Sequence, residues 1–387
     1  MKKGWKTKTL GEVCVFDKAQ GIHRGLPYVG LEHIESHTAR FIGSSEAQPV
    51  KSSTFRFSEE HVLYGRLRPY LNKALAPDFE GHCSTEIFPL KPSPELSREY
   101  LLFWLLADET CDRINATCTG ARMPRAQMND VLGFEIPVPP LAEQQRIVGL
   151  LDEAFEGLAT AKANAEKNLQ NARALFESHL QSVFTQRGSG WVEKHLKEVC
   201  EKITDGTHQT PKYFDEGIVF LSSRNVTSGT IDWDRIKYID TKQHLEMHKR
   251  VAPRLNDILL AKNGTTGVAA IVDRDTTFDI YVSLALLRAL PVMRPRFLLH
   301  FINSPAAKMQ FNKRLKGIGV PNLHLEEIRE VRLAFPADLE DQDRVVDELD
   351  DLRKETQRLA RLYEQKLAAL EALKKSLLHQ AFTGKLL

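Results

Sequence analysis

The chain has 387 residues, 53 basic and 51 acidic, for a formal net charge of +2, a length that accommodates two or three domains with separate cores. Five scattered cysteines without a C-x-x-C pair argue against a disulfide framework or zinc ribbon and fit reduced thiols. No apolar run approaches the roughly 20 residues that span a bilayer, and MKKGWKTKTL has no apolar stretch after its charges, so a cytoplasmic chain without a membrane partner is expected.

In chain order, the first element is a globular segment, residues 1–137, with 17 basic and 17 acidic residues and five histidines. It carries three turn-rich runs: Gln20 to Gly25, Tyr64 to Lys73, and Thr119 to Arg125. Arginine can grip guanine O6 and N7, asparagine and glutamine can grip adenine, and glycine lets backbone approach phosphate. His23, Arg24, Arg66, Arg68, Lys73, Arg122 and Arg125 are therefore candidate DNA contacts, although each run alone also fits an ordinary loop.

Pro139-Pro140 then announce a helix over residues 138–187, net negative with 4 basic and 6 acidic residues over 138–186. Ile147, Leu151, Ala154, Leu158, Ala161, Ala165, Asn168, Ala172, Leu175 and His179 step by alternating 4 and 3, a heptad seam. A second globular segment, 188–337, carries, with Arg187 counted in, 23 basic against 17 acidic residues, a surplus of six. Its turn-rich runs offer Thr207, His208, Lys212, Arg224, Asn225, Lys262, Asn263, Thr265 and Thr266 as candidate DNA contacts, and a basic stretch adds Arg314 and Lys316. Pro336 and Asp338 precede a last helix over 338–387, with 9 basic and 11 acidic residues. Its seam is Val345, Leu349, Leu352, Thr356, Leu359, Tyr363, Lys366, Leu370, Leu373 and Leu377, with Leu367 beside the imperfect Lys366.

The chain is a tandem duplication. Trp5-x4-Leu10-x-Glu12-Val13-Cys14 recurs as Trp191-x4-Leu196-x-Glu198-Val199-Cys200, Gly120-x3-Pro124 recurs as Gly317-x3-Pro321, and 141–185 aligns without a gap onto 339–383. The interiors, 15–119 and 201–316, share almost nothing that aligns. One helix seam is rich in leucine and the other in alanine, so large side chains can face small ones. Leu151, Leu158 and Leu175 on the first helix are expected to meet Leu349, Leu352, Leu359, Leu370, Leu373 and Leu377 on the second. Helices of about 43 residues would run roughly 64 Å. The expected fold is α+β: two globular α/β domains in pseudo-twofold arrangement, joined by two long antiparallel coiled-coil helices, with both termini at the first domain.

The motifs within this frame resemble one family. Asp205-Gly206-Thr207-His208-x-Thr210-Pro211, followed by Gly217 and Phe220-Leu221, is similar to the opening of a type I target recognition domain, as is Asp257 to Gly267. Leu63 to Lys73 and Cys83-Ser84-Thr85-Glu86-Ile87 resemble another branch of that domain family. Ile136 to Gln145 resembles its usual approach to the conserved helix, whereas Leu333 to Leu339 lacks the double proline and has one extra residue. The chain thus resembles the specificity subunit of a type I restriction–modification enzyme. The resemblance implies a non-catalytic subunit that binds no cofactor and reads a split, asymmetric double-stranded DNA site. It also implies docking of two methyltransferase subunits that use S-adenosylmethionine, and of restriction subunits that use ATP and Mg.

Catalytic motifs point the same way. The sequence has no G-x-x-x-x-G-K-[ST] loop and no N-P-P-[FYW] or D-P-P-[FYW] tetrapeptide. Pro77-Asp78 with Glu86 lacks the lysine of a nuclease pattern, since Phe88 stands there. His244-x3-His248 puts two imidazoles on one helical face, but its glutamate is at 246, and a surface helix without a metal is the expectation.

Overall fold

The computed structural model of the chain describes residues 4–48, 50–120, 122–186, 188–226, 229–315 and 322–386. Lys316, Gly317, Pro321 and Ala121 lie outside them. Two compact units result, one formed by Met1–Glu166 with Glu364–Leu387 and the other by Lys167–Tyr363. The first unit therefore holds both chain ends. Each long helix is 45 residues, Leu141–Thr185 and Leu339–Thr383, and gives one part to each unit.

In the first unit a four-stranded sheet has the order Cys14–Phe16, Ile87–Pro92, Val62–Gly65, Ala74–Leu75. Val62–Gly65 is buried along its whole length, as a continuous apolar run in a central strand should be. A second sheet runs Gln20–Gly21, Thr54–Phe57, Gly81–Cys83, Tyr28–Val29. Lys6–Thr9 pairs with Glu135–Val138 to bring the start of the segment back beside its end.

The second unit repeats this plan. Its four-stranded sheet runs Cys200–Asp205, Leu284–Ala289, Ile258–Ala261, Val268–Ile271, again antiparallel throughout. Trp191–His195 pairs with Arg332–Pro336 as its closing ribbon. A parallel pair recurs too: Tyr28–Val29 lies along His82–Cys83, and Val219–Leu221 along Phe278–Ile280. The interiors that do not align as sequence are thus built on one topology. They diverge where the outer strand joins, Thr54–Phe57 on one member of the pair and Lys237–Ile239 on the other.

Gln144 and Gln342 show why the frame was kept. Both side chains are fully buried. Gln144 accepts from Ser97 N (2.7 Å) and donates to Glu95 O and Pro139 O, both at 2.8 Å. Gln342 accepts from Arg294 N (2.8 Å) and donates to Val292 O and Pro336 O, both at 3.0 Å. A buried amide needs all these partners, so neither residue can drift. The extra residue before the second helix does not disturb the arrangement, because Asp338 Oδ1 accepts from Glu340 N at 2.7 Å and starts the helix there.

Within each unit the two helix segments pack into the core. Ile147 and Leu151 share the first core with Leu378 and Ala381. Leu180 and Phe184 share the second with Val346 and Leu349. The start of one helix thus meets the end of the other, as antiparallel packing requires. Ala165 and Ala172 are buried, in keeping with a small-residue seam. Leu158, Leu352, Leu359, Leu370 and Leu377 are half-buried.

Two seam positions are corrected. Leu175 is 51% exposed and Leu373 47% exposed. Phe176 and Lys374 turn inward one residue later, as happens when a 3.6-residue helix drifts from a 3.5-residue repeat. Lys374 Nζ donates to His37 O at 2.7 Å while sitting 5.4 Å from the Phe155 ring centroid. All five cysteines are free. Among the described residues no helix is long and apolar enough to cross a membrane.

Candidate nucleic-acid interface

In the first unit two of the three candidate runs meet at the end of the strand Val62–Gly65. Arg66 N donates to Glu86 O, and Arg66 O accepts from Ala126 N, both at 2.9 Å. Arg68 N donates to Pro124 O at 2.8 Å, and Leu67 and Thr119 each bridge to Arg125. Glu86 organises the cations: Arg125 Nε donates to its two oxygens at 3.0 and 3.1 Å, and Arg66 Nε lies 3.9 Å away. Arg66 also stacks on Phe88, its guanidinium 5.3 Å from the ring centroid. Lys73 Nζ donates to Leu31 O at 2.6 Å.

The cations left facing solvent are Arg68 and Arg122, both exposed and without a side-chain partner among the described residues. Arg68 holds φ +52°, a left-handed conformation that costs a non-glycine residue and is fixed here by the contacts on either side. The third run lies on the second sheet. There His23 stacks near His82, with ring centroids 5.7 Å apart, and its Nε2 is buried without a hydrogen-bond partner. Burial lowers the His82 pKa, although hydrogen bonds to the backbone of Gln48 and Leu26 oppose the shift. Arg24 beside it is exposed.

In the second unit the same strand end carries Lys262. Its N donates to Ser283 O and its O accepts from Leu323 N, both at 2.9 Å, the pattern of Arg66 in the first unit. Its side chain is buried, with Nζ 3.2 Å from Asp205 Oδ2. Arg250 Nη2 reaches Asp205 Oδ1 at 2.6 Å and His208 Nε2 lies 3.3 Å from the same oxygen. Burial raises the Asp205 pKa, but hydrogen bonds from Arg250, Lys262 and His208 outweigh it and hold the carboxyl below its usual range. Gly206 is required between Asp205 and Thr207: a Cβ there would stand 1.9 Å from Ile280 O.

Several candidates therefore have structural duties. Lys262 neutralises Asp205, and Thr207 is buried with its N donating to Ile280 O at 3.0 Å. Asn225 is buried, accepts from Ser222 N at 3.0 Å and donates to Arg235 O at 2.9 Å. Arg314 turns onto the backbone oxygens of Gln310 and Glu330. Polar residues in loops also satisfy buried backbone groups and charges, and these four do so here. Asn263 bridges to Asn322. His208, Lys212, Arg224 and Thr265 are exposed, and Thr266 is half-buried.

Arg224 borders a cavity of about 320 Å³ that also takes in Tyr213, Phe220, Arg235, Lys237 and Tyr281. Lys237 Nζ sits 3.8 Å from the Tyr213 ring centroid. Sequence reasoning missed Arg235, Lys237, Tyr213, Arg250 and Tyr281. Tyr281 reaches the site through a parallel bridge to Thr207, a pairing 74 residues apart in sequence that no local pattern announces. The lysine and arginine at 249–250, next to the histidine pair, were a usable signal for Arg250. Aromatic faces beside cations and hydroxyls form a surface suited to a polyanion with stacked rings.

Comparison with known proteins fits this geometry. The profile of the type I restriction modification DNA specificity domain matches residues 2–169 and again 188–371. The Type I restriction enzyme EcoDI specificity subunit of Escherichia coli is 28% identical over 165 residues, 42% of this chain and 36% of that protein, so the match spans about a third of the relative. A chain solved in work on complex assembly and conformational transition of the type I R-M system is 23% identical, with TM-score 0.83 over 100% of this chain and 99% of that one. The HsdS subunit from Thermoanaerobacter tengcongensis is 22% identical, with TM-score 0.67 over 100% and 98%. With the domain present twice and matching most of its length, the chain belongs to the type I restriction modification DNA specificity family.

Proposed function

We propose that each unit reads one half of a bipartite, asymmetric DNA site through the major groove, and that the long helices fix the spacing between the halves. The observation that carries this reading is the pair of equivalent strand ends. Arg66 and Lys262 occupy the same backbone position, yet Arg68 and Arg122 surround one, while His208, Arg224 and the aromatic cavity surround the other. One frame displaying two unlike sets of base-reading side chains is what a two-part asymmetric target calls for. The exposed guanidiniums are the proposed base or phosphate contacts, and the buried ion pairs hold the loops that carry them.

In the same reading the chain works in the cytoplasm and docks two methyltransferase subunits, largely through the long helices, with restriction subunits joining that core. S-adenosylmethionine, ATP and Mg belong to those partners. The test is binding of the full chain, with its methyltransferase partner, to a pool of random duplexes. The proposal expects affinity that falls steeply with salt and a selected sequence in two separated parts. Salt-independent or sequence-independent binding would contradict it.

A further inference from the structure

The histidine pair of the second unit acquires a third member from a distant strand. His244 and His248 lie one turn apart at Thr241–Met247 and its C-terminal cap, with ring centroids 4.6 Å apart. Asp279, on the strand Phe278–Ile280, faces both: His244 Nδ1 lies 2.7 Å from its Oδ2, and His248 Nδ1 lies 3.0 Å from its Oδ1. The three ligand-type atoms all fall within 4.8 Å of one another. The Asp279 side chain is 1% exposed, and among the described residues no lysine or arginine pairs with it. A carboxylate this far from water needs a cation or strong donors beside it.

We propose that His244, His248 and Asp279 hold a divalent transition-metal ion, zinc by ligand type. Two imidazoles and one carboxylate form a ligand set suited to zinc and related first-row ions, and the nitrogens disfavour magnesium and calcium. With bonds of about 2.0–2.1 Å, neighbouring ligand atoms around one tetrahedral ion stand about 3.3 Å apart, so the imidazole–carboxylate separations are close to those required and the widest separation, within 4.8 Å, closes on binding. His248 is 32% exposed, which leaves a route for the ion and room for water as a further ligand.

The ion clamps a short surface helix to the buried edge strand Phe278–Ile280, and each of the two carries a contact to the candidate site. Gln243, immediately before His244, accepts from Lys212 N at 2.8 Å and donates to Lys212 O at 3.0 Å. The strand leads directly into Tyr281, whose N donates to Leu221 O at 2.9 Å beside the aromatic cavity. Metal at this position therefore braces the Thr207–Lys212 loop.

The test uses the full, untagged chain, stripped by a chelator and titrated first with Co2+ and then with Zn2+. One equivalent of Co2+ should bind with visible absorption that Zn2+ abolishes. His248→Ala, at the more exposed position, should weaken binding at least a hundredfold while far-ultraviolet circular dichroism stays native, and His244→Gln should do the same. Amide exchange over residues 207–212 should slow when zinc is added to the wild-type chain. No stoichiometric binding, unchanged binding in His248→Ala, strong sulfur-to-metal absorption, or unchanged exchange in that loop would each overturn the proposal. None of these readouts involves DNA, so their failure is separate from failure of the half-site reading.

Discussion

Lys262 Nζ stands 3.2 Å from Asp205 Oδ2, with the two side chains only 6% and 4% exposed. The lysine of a glycine-rich run is thus an internal counter-ion, not a free hand for phosphate. Replacing it with methionine removes one of the two cationic neighbours of a buried carboxylate, and Arg250 retains part of the compensation. The expected loss is about 1–3 kcal/mol in chemical denaturation of the second unit. DNA selectivity in the folded fraction should not change at any single base.

Arg122→Ala and Arg68→Ala act differently. Both guanidiniums are exposed and unpaired among the described residues, so stability should hold within about 0.5 kcal/mol. Duplex binding should weaken by roughly 1–3 kcal/mol if either touches a base, with relaxed selectivity at one position of one half-site. Arg66→Ala should instead affect folding and binding together, because Arg66 stacks on Phe88 and lies beside Glu86. Selection of binding sites by each variant separates these outcomes.

The helix seam gives a paired contrast. Leu349 is wholly buried and Leu373 is 47% exposed, although both occupy a heptad position in the sequence. Leu349→Ala should cost about 3 kcal/mol by thermal or urea unfolding, through lost contacts and a cavity. Leu373→Ala should cost about 0.5 kcal/mol or less. Equal effects would contradict the observed register.

Acid should weaken the second unit through His300. The ring is buried, and desolvation, with Arg353 and Arg296 nearby, lowers its pKa despite Asp350 at 3.0 Å. The unfolded chain binds that proton more readily, so stability falls as pH drops below about 6.5, with a slope of at most about 1.4 kcal/mol per pH unit from this one group. His300→Gln should flatten that part of the pH profile.

Thiol reactivity should follow burial. Desolvation pushes Cys14 and Cys200 up to about 12 and Cys111 up to about 11, and all three are buried. Cys118, half-exposed, should react first with a disulfide reagent in the native chain, and the others only on unfolding.

The duplicated frame was legible because its residues have positional duties that sequence records. Gln144 and Gln342 must complete the same hydrogen bonds, and the two long helices must keep a periodic apolar face. The shared sheet order of the interiors was not legible. Topology depends on apolar strands pairing far apart in sequence, and many side chains satisfy it: Val62–Gly65 and Ile258–Ala261 share only Leu63 and Leu259 at equivalent positions. The candidate site was half legible. Glycine- and arginine-rich runs marked the loops, but only the fold tells Arg122, which faces water, from Lys262, which faces Asp205. His244 and His248 were visible as a pair, while Asp279 joins them only through packing between helix and strand.

The most direct test of the half-site reading is methylome sequencing of cells carrying this chain with its methyltransferase partner. The account predicts one modified motif made of two unlike specified parts, separated by bases of any identity. Exchange of residues 1–137 for those of a relative should alter one part alone. A single uninterrupted motif, or two parts that change together on that exchange, would contradict it.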